Sequence, residues 1–122
     1  MVTNRPTVIS VPARLSFREA RSFFREVQVI VASRRCPQLV FEMSLVEQMD
    51  SAGVEMLLEC MVECMKCGGD LKLASLSHQS AMVLELTRAD RVFEIFETSS
   101  DAVTSFECFV PYSEKRPERL IA

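Results

Sequence analysis

The 122-residue sequence contains no tryptophan, only three glycines and one histidine, and no long apolar run. A membrane-spanning helix needs about 18 or more consecutive apolar residues, and no stretch of this sequence approaches that length. The first ten residues, MVTNRPTVIS, lack the apolar core of a secretory signal peptide. We therefore expect a cytoplasmic protein that does not insert into a membrane.

The common catalytic and nucleotide-binding motifs are also missing. The sequence contains no GxxxxGK[ST] or GxGxxG phosphate-binding loop and no GxSxG nucleophile motif. Its one histidine, His78, follows a serine that can cap a helix, and we interpret it as a surface residue. We therefore predict no enzymatic activity, no catalytic residues and no cofactor.

Five cysteines are present, and three of them fall within the eight residues from Cys60 to Cys67. The only CxxC spacing, Cys64 to Cys67, has no second cysteine pair or histidine set to complete a zinc site. It also ends a predicted helix, whereas a thioredoxin-like motif begins one. We predict no metal site and interpret the cysteines of this cluster as small packing residues. A small thiol or redox protein is the least favoured alternative.

Charge is distributed unevenly along the chain. Residues 1–37 contain seven arginines and two glutamates, a net charge of +5, whereas residues 38–110 contain four basic and thirteen acidic residues, a net charge of −9. A nucleic-acid-binding surface needs lysines and arginines clustered on one face. The acidic middle of the chain argues against one, and we interpret the early arginines as a solvated helix face.

Segments with the character of strands and helices alternate along the chain. Strands are predicted at 7–11, 38–44, 70–76 and 92–96, and helices at 17–34, 51–67, 79–89 and 101–108. Such alternation is typical of an α/β fold, with a mixed, mostly parallel sheet of about four to five strands and about four helices. We predict one domain over 1–110, followed by a polar and mobile tail over 111–122.

Helix faces and helix ends also follow from the pattern. Ser16 and Glu19 have the spacing of a capping box, Ser77 and either Ser99 or Ser100 are further predicted caps, and the glycines at 68–69 should end the second helix. The third helix should turn Met82, Val83 and Leu86 inward. The second helix has a continuous apolar face made of Val54, Leu57, Leu58, Met61, Val62 and Met65.

The loop before the second helix contains the sequence Asp50-Ser51-Ala52-Gly53. One interpretation is a helix cap, in which Asp50 or Ser51 accepts a backbone N–H and stabilises the fold by about 1 kcal/mol. The other is a phosphorylation site, because the unpaired N–H groups of a helix start tolerate a phosphate dianion. The residues alone leave both interpretations open.

A resemblance to a known family favours the second interpretation. The order LVFEMS, MDSAG, an amphipathic helix ending in GG, and LELTRADRVFEIF resembles a STAS domain of the bacterial anti-sigma factor antagonists, and ISVPARLSF resembles its second strand and first helix start. The resemblance implies that Ser51 is phosphorylated by an anti-sigma factor serine kinase, which supplies ATP and Mg²⁺. The unphosphorylated chain would bind that kinase and free a sigma factor.

The expected partner-binding residues surround this serine: Met49, Asp50, Ser51, Ala52, Gly53, Glu55 and Glu59. Glu55, Glu59 and Glu63 recur every four residues and form an acidic stripe, which is either a solvated face or a docking ridge for a basic partner. An alternative within the family is a STAS subunit of another assembly, such as a stressosome component or the small partner of a lipid-transport ABC ATPase. There the same helix start would dock whether or not it is phosphorylated.

Overall fold

A computed structural model describes residues 6–107, in which each of four α-helices follows one or two strands. A 3₁₀ turn over Ala89–Arg91 follows the third helix. In chain order the elements are β1 Thr7–Ser10, β2 Arg14–Leu15, α1 Phe17–Ala32, β3 Gln38–Glu42, β4 Gln48–Met49, α2 Ser51–Lys66, β5 Asp70–Ala74, α3 His78–Leu86, β6 Ile95–Phe96 and α4 Ser99–Glu107.

The main sheet has the strand order β1-β3-β5-β6, and its three strand pairs are parallel. The central pair is in register over five residues, with Leu39 opposite Leu71 and Phe41 opposite Leu73. A second, two-stranded sheet joins β2 to β4, also in parallel. The prediction of an α/β fold with a mostly parallel sheet is confirmed, but the sequence pattern did not reveal the short strands β2 and β4.

Two apolar layers cover the two faces of the main sheet. The larger contains the β3 residues Leu39 and Phe41, and the ring of Phe41 meets that of Phe23 from α1 at a centroid distance of 5.3 Å. The smaller contains Val40, whose side chain points to the opposite face and packs with Ala102 of α4. Because consecutive strand residues point to opposite faces, the uninterrupted apolar run of β3 serves both layers.

The buried face of α2 differs from the predicted one. Val62 and Met65 are 46% and 54% exposed, whereas Cys60 and Cys64 are completely buried, together with Met56. These three residues recur every four positions on the side of α2 that meets α1, so packing against both the sheet and α1 rotates the buried sector toward the small cysteines. The interpretation of these cysteines as small packing residues agrees with the burial of Cys60 and Cys64, whereas Cys67 is exposed.

The buried face of α3 also differs. Met82 and Leu86 are 41% and 77% exposed, and the buried residues are instead Ser80 and Leu84. Ser80 can be buried because its hydroxyl donates to the Ser77 carbonyl and its N–H donates to the Ser77 hydroxyl. The predicted Ser77 cap is thus present, but the side chains that α3 buries are not the predicted ones.

Element ends show smaller departures. The Ser16 hydroxyl donates to the Glu19 carboxylate instead of accepting a backbone N–H, so the capping box is incomplete. Helix α4 begins at Ser99, earlier than predicted, because the hydroxyl of Thr98 accepts the N–H of Asp101. The last strand is confined to Ile95–Phe96 because the 3₁₀ turn precedes it. The predicted tail, 111–122, lies outside the described residues.

Candidate functional site

Ser51 is the first residue of α2, directly after the short strand β4 and Asp50. Pairing of β4 with β2 sets Leu15 beside Met49, and α1 begins at Phe17, two residues after Leu15. The short second sheet therefore brings the starts of α1 and α2 to the same end of the molecule. This arrangement defines the surroundings of Ser51.

The cap of α2 is provided by Asp50. One carboxylate oxygen of Asp50 accepts the N–H groups of Ala52 at 3.0 Å and Gly53 at 3.2 Å, and its carbonyl accepts that of Val54 at 3.2 Å. Two donors that a helix start leaves unpaired are thereby satisfied. The Ser51 side chain is exposed, and its hydroxyl makes no hydrogen bond with any of residues 6–107. The sequence allowed either Asp50 or Ser51 to cap α2, and in the structure Asp50 is the cap.

Gly53 allows α2 to approach the small sheet closely. A Cβ atom at Gly53 would lie 2.9 Å from the Leu15 carbonyl oxygen and 2.9 Å from Cγ of Met49, closer than side chains tolerate. Met49 is itself buried. Among the seven expected partner-binding residues, Met49 and Gly53 are therefore internal and hold the loop in place, Ala52 is half-buried, and Asp50, Ser51, Glu55 and Glu59 are exposed.

A shallow groove runs between α1 and α2 beside this loop. Its α1 side includes Phe17, Arg21 and Phe24, and its α2 side includes Ala52 and Glu55. Phe17 is 67% exposed, and the Arg21 guanidinium lies 6.0 Å from the centre of its ring. Phe17 lies three residues before the buried Ala20, at helical spacing, so the sequence pattern gives no sign of this exposure. As the first helical residue, Phe17 has no preceding turn to cover it.

The two sides of the groove carry opposite charges. Arg21 lines the α1 side of the groove, and Glu55 and Glu59 line the α2 side. Arg18 and Arg25 are also exposed on α1, at helical spacing from Arg21. Within residues 6–107, neither of these glutamates has a salt-bridge partner, whereas the Glu63 carboxylate lies 3.5 Å from the ammonium of Lys66. The unpaired part of the predicted acidic stripe is thus its end nearest Ser51.

A hydrogen-bonded carboxylate lies where β3 ends, before the loop that leads to Ser51. One oxygen of Glu42 accepts the Ser44 N–H at 2.9 Å, and the other accepts the Ser99 hydroxyl at 2.8 Å. Burial works to raise the pKa of Glu42, but hydrogen bonds from serines outweigh it and lower the pKa to about 2. Glu42 therefore stays charged and ties the start of α4 to the end of β3.

The buried cysteines of α2 have the character of packing groups. Burial raises the pKa of Cys64 to about 12 and also raises the pKa of Cys60, so both thiols stay protonated near neutral pH. No group of three or more His, Cys, Asp or Glu residues between 6 and 107 has a geometry suited to a metal ion. His78 is exposed at the start of α3.

Comparison with known proteins identifies the fold. The family model of the STAS domain matches residues 1–102. An anti-sigma-factor antagonist (STAS) domain protein from Planctomyces limnophilus superposes with a TM-score of 0.74 at 23% identity, over 83% of this chain and 90% of that one. The unphosphorylated anti-sigma factor antagonist SpoIIAA superposes with a TM-score of 0.75 at 19% identity, over 90% and 95% of the two chains.

The same fold also occurs in a transporter domain. The STAS domain of a SulP transporter from Vibrio cholerae superposes with a TM-score of 0.67 at 15% identity, over 88% of this chain and 84% of that one. In the part of the present chain that the structure describes, no helix is long and apolar enough to cross a bilayer. Because the family model matches 102 of the 122 residues, this chain belongs to the STAS domain family.

Proposed function

We propose that this chain is a phosphorylation-controlled binding module, an anti-sigma factor antagonist that binds an anti-sigma factor serine kinase while Ser51 is unphosphorylated and so releases a sigma factor. STAS domains are in general regulatory or binding domains without enzymatic activity. The observation that carries the proposal is the Ser51 hydroxyl, which is exposed and makes no hydrogen bond with residues 6–107, at a helix start already capped by Asp50.

Asp50 caps α2 and leaves the Ser51 hydroxyl available for modification, and a reversible switch needs this separation of roles. Since Asp50 satisfies the first N–H groups of α2, the fold does not depend on the Ser51 hydroxyl. A phosphate there would add a charge of about −1.5 to −2 close to the positive end of the helix dipole, which offsets repulsion from Asp50. Phosphorylation would therefore change the charge offered to a partner and leave the domain folded.

The groove between α1 and α2 gives the kinase a surface to bind. Aromatic residues are enriched among those that dominate binding energy, and Phe17 is an exposed aromatic ring at the rim of this groove. The arginines of α1 and Glu55 and Glu59 of α2 would set the orientation of the partner through charge complementarity. A phosphate dianion on Ser51, at the start of α2, would add negative charge beside this groove and so change the charge complementarity with the kinase.

The test of this proposal is to identify the phosphorylated residue. The full chain is incubated with ATP, Mg²⁺ and anti-sigma factor kinases from its native cell, and the product is mapped by mass spectrometry. We expect one phosphate, on Ser51, and none after Ser51→Ala. Phosphate on Ser75, Ser77, Ser99 or Ser100 with none on Ser51 would contradict the proposal. Stable binding without phosphorylation would favour the alternative, a STAS subunit of another assembly.

Phe17 provides a second prediction. Replacing Phe17 with alanine should weaken binding to the kinase roughly tenfold or more, because truncating an aromatic contact residue commonly costs more than 1 kcal/mol. Leu86→Ala is a matched control, since Leu86 is 77% exposed but lies on α3. Calorimetric titration measures the affinity of each variant for the kinase. Equal affinities of Phe17→Ala and Leu86→Ala would exclude the groove from the interface.

A further inference from the structure

Two cysteines that are far apart in sequence lie side by side at the end of the molecule opposite Ser51. Cys36 belongs to the loop between α1 and β3, and Cys67 is the residue after the last residue of α2. The Cys36 N–H donates to the Cys67 carbonyl oxygen at 3.1 Å. Standard bond lengths then keep the two Cα atoms within about 6–7 Å. That limit overlaps the range of roughly 4.4–6.8 Å found in disulfides.

The sulfur of Cys36 is close to the turn that follows α2. It lies 3.3 Å from the position that a Cβ on Gly68 would occupy, and Gly68 directly follows Cys67. The backbone of Cys36 has a φ of 49°, which is uncommon for a residue other than glycine. The loop thus holds Cys36 in an unusual conformation that sets its thiol beside the turn formed by Cys67 and Gly68.

Both of these thiols are accessible, unlike the other two described cysteines. Cys36 and Cys67 are exposed, whereas Cys60 and Cys64 are fully buried. Two exposed arginines, Arg34 and Arg35, precede Cys36 directly. Their positive charge favours the encounter of this site with anionic reagents.

From this geometry we infer a reversible thiol–disulfide site formed by Cys36 and Cys67, whose substrates are anionic low-molecular-weight disulfides. One cysteine thiolate attacks a sulfur of the small disulfide, forms a mixed disulfide and releases one small thiolate. The second cysteine thiolate attacks the protein sulfur of that mixed disulfide and releases the other. The protein loses two electrons and two protons, and the small disulfide becomes two thiols.

This site is separate from the proposed phosphorylation site. Helix α2 contains 16 residues and has Ser51 at one end and Cys67 just beyond the other, a separation of roughly 24 Å at 1.5 Å per residue. The disulfide would join the entry of β3 to the end of α2 and constrain the unfolded chain between residues 36 and 67. Its formation therefore does not require that Ser51 be phosphorylated or that a kinase bind.

The test uses the reduced full-length protein and oxidised glutathione. We expect unreduced proteolysis of the wild type to yield one peptide pair linking Cys36 to Cys67, with a mass two hydrogen atoms below the sum of the two reduced peptides. Cys36→Ser and Cys67→Ser should each stop at a mixed disulfide with one glutathione on the remaining cysteine of the pair. Cys108→Ser is the matched control and should form the disulfide as the wild type does.

The wild-type experiment is decisive by itself, so it does not depend on the folding of any variant. Two stable glutathione adducts on Cys36 and Cys67 would overturn the inference, as would a link between Cys67 and Cys108 or a disulfide between two copies of the chain. Addition of dithiothreitol should restore both thiols of the expected product. A link that persists under dithiothreitol would not be a reversible disulfide and would equally contradict the inference.

Discussion

Ser51→Asp should bind the anti-sigma factor kinase about a hundredfold more weakly than the wild type, a loss of about 3 kcal/mol. The added carboxylate would stand in for the phosphate at the head of α2, in the surface that we propose meets the kinase. Like charges brought together in an interface, and a charge deprived of water without a partner, each cost several kcal/mol. Ser51→Ala should retain binding, because the Ser51 hydroxyl makes no hydrogen bond within residues 6–107.

The stability of Ser51→Asp should stay within about 0.5 kcal/mol of the wild type. Its new carboxylate lies near the positive end of the α2 dipole, which offsets its repulsion from Asp50. Ser100→Asp is the matched control, because it adds the same charge to the exposed first turn of α4. Helix α4 lies on the opposite side of the main sheet from the groove, so this variant should bind the kinase as the wild type does.

Calorimetric titration and thermal melts of these variants separate the outcomes. Unchanged affinity for Ser51→Asp would show that charge at this position does not control binding. Loss of binding together with a fall in melting temperature would instead mean that Ser51 supports the start of α2. Weaker binding by Ser100→Asp to the same extent would attribute the effect to net charge and not to the position of Ser51.

Gly69→Ala should destabilise the fold by more than about 3 kcal/mol, a large part of the roughly 5–15 kcal/mol by which a domain is stable. A Cβ at Gly69 would lie 1.8 Å from the carbonyl oxygen of Pro37 and 2.6 Å from its carbonyl carbon. The same oxygen accepts the N–H of Asp70 at 3.0 Å where β3 and β5 begin to pair. Because the obstacle is backbone, relief requires the two strand entries to separate, which also lengthens this hydrogen bond.

Gly68→Ala provides the comparison for that prediction. Gly68 has a φ of +81°, and a Cβ there would meet only the flexible sulfur of Cys36, at 3.3 Å. The left-handed conformation should cost about 1 kcal/mol for alanine. Equilibrium denaturation in urea should therefore rank wild type, Gly68→Ala and Gly69→Ala in order of decreasing stability. Equal losses at the two glycines, or a smaller loss at Gly69, would show that the strand entries can relax.

These two glycines illustrate how far the sequence pattern reaches. Both were predicted to end the second helix, and Gly68 does so in the left-handed conformation that the pattern implies. The contact between Gly69 and Pro37 joins residues more than thirty positions apart, so local sequence could not indicate it. The position of Phe17 is similar, since its spacing fits a buried stripe and its exposure depends on what packs around the helix start.

Hydrophobic periodicity and helix-end signals are local, so the sequence pattern predicted the four helices, the four strands of the parallel main sheet and Ser51 at the start of a helix, but not the short strands β2 and β4. Three features are visible only in the folded chain: which residues of α2 and α3 are buried, the capping of α2 by Asp50 and not by Ser51, and the position of Cys36 beside Cys67. The physical reason is that burial and contact depend on which surfaces neighbouring elements cover. In this chain, helices α1 and α2 and the short pair of strands β2 and β4 place the exposed Ser51 beside a charged groove.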